Sequence, residues 1–189
     1  MAYSNRIHDP AFAKYRADSE KYAKIFASIL ATAAVLGFYL YGELGTEMDN
    51  PEALYIGLVI GGMFIAIALI TNRSKKGAKT WDGTVCAKQV EKKTRRRKST
   101  DLDYHMREYL LYTVTIKSND GKAHEITAEN DDTTYNYYQI GDKVRYHGSL
   151  RSFEKYDKSK DSIVFCNACA SLNEMSAERC HRCHCPLLK

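Results

Sequence analysis

The 189-residue chain contains only 3 proline and 11 glycine residues. Collagen-like and mucin-like chains need far more of both, or of proline with serine, so those classes are excluded. Full disorder is excluded too, because 44% of the residues are hydrophobic and 27% charged, as in globular chains. No glycine-rich phosphate loop is present, and no Ser/His/Asp or Cys/His set stands at a spacing suited to nucleophilic catalysis. The apolar runs hold no cluster of charges that would mark a transport path. The expectation is therefore a chain that is not an enzyme, with no small-molecule substrate inferred. A mean hydropathy of -0.45 excludes a chain mostly embedded in lipid.

That average hides two uncharged apolar runs, Ile25 to Leu40 and Ala53 to Thr71. A helix crossing the hydrocarbon core needs roughly 20 apolar residues. The runs predict transmembrane helices at 22–42 and 53–71, and hence a lipid bilayer as partner. A secretory signal is the alternative for the first run, but signal cores are usually about 7–15 residues. The aromatic flank Phe38, Tyr39 and Tyr41 also offers no small-residue cleavage site. A buried soluble hairpin is the other alternative, and so small a remainder could hardly cover two helices apolar all round.

Charge orients the pair. The connecting segment 43–52 carries Glu43, Glu47, Asp49 and Glu52 and no Lys or Arg. Arg6, Lys14, Arg16, Lys21 and Lys24 precede the first run; Arg73, Lys75, Lys76 and Lys79 follow the second, in a basic linker at 72–79. Lys and Arg concentrate in cytoplasmic segments, so both termini are expected in the cytoplasm of a multi-pass cell-membrane protein. Residues 1–21 read as a basic amphipathic juxtamembrane helix, opened by Asp9 as N-cap and Pro10 at the first position. A solvated extension of the span is the other reading of that arm. Gly57 and Gly61 form a GxxxG step that lets helices approach closely. It either closes the chain's own hairpin, the favoured reading, or docks another subunit.

Beyond Asn72 the apolar period shifts to two. Trp81 to Val90, Glu108 to Lys117, Lys122 to Ala128, Lys143 to Leu150 and Ile163 to Phe165 read as strands, with a turn at Ser118-Asn119-Asp120-Gly121. Arg151 to Ser162 reads as a charged loop. The expected fold class is α+β: a two-helix transmembrane hairpin, a five-stranded OB-like or SH3-like β-barrel at 80–165, and a C-terminal zinc ribbon at 166–189. Lys92, Lys93, Arg95, Arg96, Arg97 and Lys98 form a basic run at the tip of the first hairpin or in a loop. It is read as a solvated segment, as a contact for anionic lipid, or, third, as a nucleic-acid contact.

The chemistry lies in cysteine. Cys166-Asn-Ala-Cys169 and Cys180-His-Arg-Cys183 are two CxxC pairs ten residues apart. Such pairs present four thiolates to one tetrahedral ion, so a single structural Zn2+ is expected on Cys166, Cys169, Cys180 and Cys183. Exchange of one ligand for Cys185, His181 or His184 stays open. Four thiolates leave no open position for a catalytic water. Cys86 reads as a buried strand residue.

With Pro186-Leu187 after the second pair, this segment resembles the short zinc ribbons that end many bacterial proteins. It departs from them at Ala170 and His184, where those modules commonly have glycine. The whole chain is also similar to a group of uncharacterised bacterial two-span membrane proteins with a small β domain and a C-terminal zinc ribbon. The shared residues are Trp81, Gly83 and Val85, the segment Gly141 to Tyr146, and Glu154 to Lys158. The group brings no activity with it. The expectation is a membrane-anchored cytoplasmic binding or scaffold module with a protein partner in a membrane complex. A membrane-tethered nucleic-acid-binding protein, using residues 92–98 and the ribbon, is the alternative.

Overall fold

In a computed structural model of the chain, residues 3–45, 48–76, 78–98 and 104–189 are described. Two compact units emerge, one of His8–Ala78 and one that joins Met1–Ile7 to Lys79–Lys189.

The first unit is a helical hairpin. Helix α1 (Pro10–Leu44) starts where the Asp9 side chain accepts a hydrogen bond from the Ala11 N–H at 2.8 Å, with Pro10 just inside. Helix α2 (Glu52–Lys76) runs back antiparallel to it. Asn50 fastens the connection, donating to the Tyr39 carbonyl at 3.1 Å and to Glu43 Oε1 at 3.0 Å. Glu47 lies outside the described residues. The helices approach at glycine. A Cβ on Gly57 would sit 2.9 Å from Phe38 Cβ and 3.2 Å from the Ala34 carbonyl oxygen. One on Gly61 would meet the Ala31 carbonyl oxygen at 3.1 Å. Ile29, Val59 and Ile70 point outward, each 60% exposed or more. Both helices are long and apolar enough to cross a membrane.

The second unit holds an open antiparallel sheet. Strands β1 (Trp81–Lys98), β2 (Tyr104–Ser118), β3 (Ala123–Glu129), β4 (Lys143–His147) and β5 (Ser152–Lys155) lie in the order β3-β2-β1-β4-β5. The β2–β3 turn places Gly121 at φ 87°, in the left-handed region that favours glycine. Gly83 lets β1 press onto β2, since a Cβ there would lie 2.7 Å from the Lys117 carbonyl oxygen.

This sheet corrects the expected OB-like or SH3-like barrel: β3 and β5 are its two edges, and no ladder among the described residues joins them. The reason lies in strand length. β4 and β5 have five and four residues, and β1 meets β4 only over Trp81–Thr84, too narrow a strip to roll closed. The apolar face is covered from outside instead. Val85, Val114, Ile116 and Val144 pack against Tyr137 and Tyr138, which come from the short helix α3 (Thr133–Tyr137) and its C-cap. Each fully buried Val or Ile there contributes about 1.5–3 kcal/mol. A face covered in this way does not need closure.

Two strands also differ from expectation. Ser152–Lys155 is a strand inside the segment read as a charged loop. Ile163–Phe165 (β6) leaves the sheet and pairs with β7 (Leu172–Glu174). Phe165 still packs its ring 5.0 Å from that of Tyr137, which joins the β6–β7 hairpin to the core.

Candidate metal centre

The β6–β7 hairpin carries the first CxxC pair in its turn, and a bridge between Arg179 and Pro186 carries the second. The two turns repeat one hydrogen-bond pattern. The Ala170 N–H donates to the Cys166 carbonyl at 2.8 Å, and the His184 N–H to the Cys180 carbonyl at 3.0 Å. The Cys166 N–H donates to the Ser171 carbonyl, and the Cys180 N–H to the Cys185 carbonyl, both at 2.9 Å. Ala170 and His184 each have φ 57°. Both lie in the left-handed region that favours glycine, so the turn is kept although neither residue favours it.

The turns bring the sulfurs of Cys166, Cys169, Cys180 and Cys183 within 4.8 Å of one another. The Cys166–Cys183 and Cys169–Cys180 separations are 3.5 and 3.6 Å. Four sulfurs about 2.3 Å from one ion lie about 3.8 Å apart, so the set fits a tetrahedral metal. The surroundings suit thiolates as well. The Arg182 N–H points at Cys180 Sγ at 3.4 Å, Asn173 Nδ2 donates to the same sulfur at 3.7 Å, and Ser171 Oγ lies 3.0 Å from Cys169 Sγ.

The acidities of the thiols point to the same ligand. Burial opposes ionisation of Cys180, yet the N–H groups of Cys183 and Arg182 and the neighbouring thiols hold it at about 6. Burial pushes Cys166 up to about 11, against N–H bonds from Cys169 and Ala168. Burial and the Cys166 and Cys169 sulfurs push Cys183 well above the usual thiol range. One thiolate therefore forms readily and the next are resisted by its charge. A cation at the centre reverses that resistance.

Among the described residues, the convergent group is those four cysteines alone. His181 is held elsewhere: its backbone N–H and its Nδ1 both lie 3.0 Å from Asn173 Oδ1. Cys185 is buried, with its carbonyl engaged in the second turn. Leu187 and Leu188, 0% and 1% exposed, anchor the end of the ribbon. Asn167 donates to Ser152 Oγ and the Phe153 carbonyl, both at 3.1 Å, tying the first turn to β5. Cys86 is exposed at an irregularity between Val85 and Ala87, contrary to the expected burial.

The basic run is a strand. Lys92 to Lys98 pairs with Leu110 to Tyr104 across β2. Lys92 meets Glu108 at 2.6 Å, Lys93 meets Glu91 at 2.9 Å, and Arg95 meets Glu129 at 2.7 Å. The Arg95 guanidinium also sits 5.0 Å from the centre of the Tyr109 ring. Arg96 is exposed, and the side chains of Arg97 and Lys98 lie outside the described residues.

One buried cluster has no periodic or spacing signal, although Glu154 to Lys158 stands among the segments that carry the resemblance. Glu154, with a side chain 0% exposed, has Oε2 2.7 Å from His147 Nε2 and accepts from Lys158 Nζ at 2.9 Å. Its Oε1 also accepts from the Ser4 N–H at 2.7 Å. Tyr3 packs edge-on to Tyr156 and lies under the Arg145 guanidinium, which grips Asp82 at 2.7 and 2.8 Å. Arg6 reaches Glu178 of the ribbon at 2.6 Å. Residues 3–7 are thus part of the second unit. No periodicity announces a five-residue segment whose partner lies 150 positions away.

No protein-family model, curated protein or solved structure matches the chain.

Proposed function

We propose that the protein is a membrane-anchored binding or scaffold module, with one structural zinc in its C-terminal ribbon and a protein partner in a membrane complex. The convergence of four sulfurs in two matching turns carries this reading. A closed thiolate set is a staple for a small fold, not a reaction centre. Soft thiolates in tetrahedral array favour zinc among the common divalent ions. The two apolar helices supply the anchor. Because residues 3–7 pack with 79–189, both ends of the hairpin lead into one folded unit, which supports an even number of crossings. The basic flanks and the acid-only connection favour the cytoplasm for that unit, where thiols stay reduced.

The test is purification of the full chain from membranes in mild detergent, with metal analysis and identification of co-purifying proteins. One zinc per chain is expected, with a stoichiometric protein that is lost when Cys166→Ser and Cys183→Ser are combined. A chain without zinc, or one retaining only oligonucleotide at low salt, would overturn the reading. The latter result would favour the membrane-tethered nucleic-acid binder.

A further inference from the structure

We propose that the outer half of the β1–β2 ribbon is a docking face for an anionic lipid surface. β3 ends opposite Leu111, and β4 leaves β1 at Thr84, so the two strands run on as an isolated ribbon. Directly opposed residues share a face and alternate residues return to it. Val90, Lys92, Thr94 and Arg96 therefore line one face with Tyr112, Leu110, Glu108 and Met106.

That face mixes two chemistries. Val90 is 45% exposed, Leu110 39% and Met106 66%. Lys92 and Arg96 stand among them, opposite Leu110 and Met106. Lys92 is itself paired with Glu108 of the same face at 2.6 Å, as Lys93 and Arg95 of the other face are with Glu91 and Glu129, so pairing does not separate the faces. What separates them is apolar exposure, since the other face exposes no large apolar side chain over 87–96 and 106–113.

Base-rich strands discourage edge-to-edge pairing, but that role argues against leaving Val90, Leu110 and Met106 uncovered beside the bases. Nucleic acid would use the bases, yet the exposed apolar side chains are aliphatic and give its rings no stacking platform, and the one ring of the face, Tyr112, is engaged edge-on by Tyr135 at 5.5 Å. A headgroup layer uses both: its phosphates attract Lys92 and Arg96, and its acyl boundary receives the aliphatic tips. The inference rests on the membrane reading above, in which the tether keeps the ribbon at high local concentration beside a bilayer.

The test is hydrogen exchange on the full chain in nanodiscs of neutral phosphatidylcholine, with and without anionic phosphatidylglycerol. Exchange over 88–96 and 106–112 should slow in the anionic discs, by about fivefold for each basic side chain engaged. Lys92→Glu with Arg96→Glu should abolish the slowing, and Met106→Ser with Leu110→Ser should reduce it. Unchanged exchange over 163–174 verifies that each variant is folded. For the unaltered chain, 0.5 M salt should remove the effect by screening, to roughly a 4 Å Debye length. Equal exchange in both discs, slowing that survives charge reversal or salt, or slowing only when an oligonucleotide is added to neutral discs would each overturn the proposal. Failure of the chain to co-elute with any disc would overturn the membrane anchor itself.

Discussion

Replacing Glu154 by glutamine isolates the energetics of the buried cluster. The variant keeps the shape of the side chain and one carbonyl acceptor but removes its charge. Lys158, 5% exposed, is then a buried cation without its counter-ion, and His147, 6% exposed, loses a carboxylate partner. Removing one member of a buried pair costs about 3–5 kcal/mol, because the other charge stays desolvated and uncompensated. With a urea dependence of about 2 kcal/mol per molar, the unfolding midpoint should fall by roughly 2 M. The assay is intrinsic fluorescence in detergent micelles. Trp81 is the single tryptophan and stacks on His124 at 4.2 Å, so its emission reports the sheet and not the helices. Adding Lys158→Met should recover at least about 1 kcal/mol, since coupled neighbours are not additive. A loss below about 1 kcal/mol for Glu154→Gln alone, the size expected of an exposed pair, would refute the reasoning. Absence of recovery in the double variant would refute it too.

Acid should release the N-terminal segment. Burial works against the ionised form of Glu154, but His147, the Ser4 N–H and Lys158 together hold its carboxyl below the usual range. A depressed carboxylate stabilises the fold above its ordinary value of about 4.3, and that contribution is lost as pH falls through the lower folded value. Exchange protection at Ser4 should therefore fall with pH in that window. Chelation of the metal should unfold 163–189, checked by protease digestion, and should also red-shift Trp81 emission because Phe165 packs into the sheet core. In the ribbon turns, Ala170→Gly and His184→Gly should each stabilise by up to about 1 kcal/mol, read from the chelator concentration needed for unfolding. Gly57→Ile should loosen the helical hairpin by about 1–3 kcal/mol, because Phe38 Cβ and the Ala34 carbonyl leave no room for the side chain. An unchanged thermal midpoint in micelles would count against that packing.

The sequence was most legible where one local rule acts alone. Asp9 and Pro10 announce the start of α1, and the Ser118–Gly121 turn announces β2 and β3. The cysteine spacing announces the convergent sulfurs. Legibility failed where the partner is distant. β5 was hidden because Glu154 and Lys155 are charged, and their burial is tolerable only once the Ser4 N–H, His147, Asp142 and the following turn with Lys158 and Asp161 close around them. The length of β1 was hidden because Arg and Lys resemble loop residues until Glu108 and Glu129 stand beside them. The barrel was inferred from a strand count, which says nothing about whether α3 will cover the open face first.

The junction of Ser4 with Glu154 sets the order in which the second unit can be completed. Synthesis delivers Ser4 first and Glu154 150 positions later, after both apolar helices have been made. The opening residues must wait undocked through that interval, and their attachment is a closing step of folding. A fragment beginning at residue 79 is continuous in sequence but incomplete as a folded body. It would leave Tyr156 and the outer side of Arg145 bare and the carboxylate of Glu154 short of one donor.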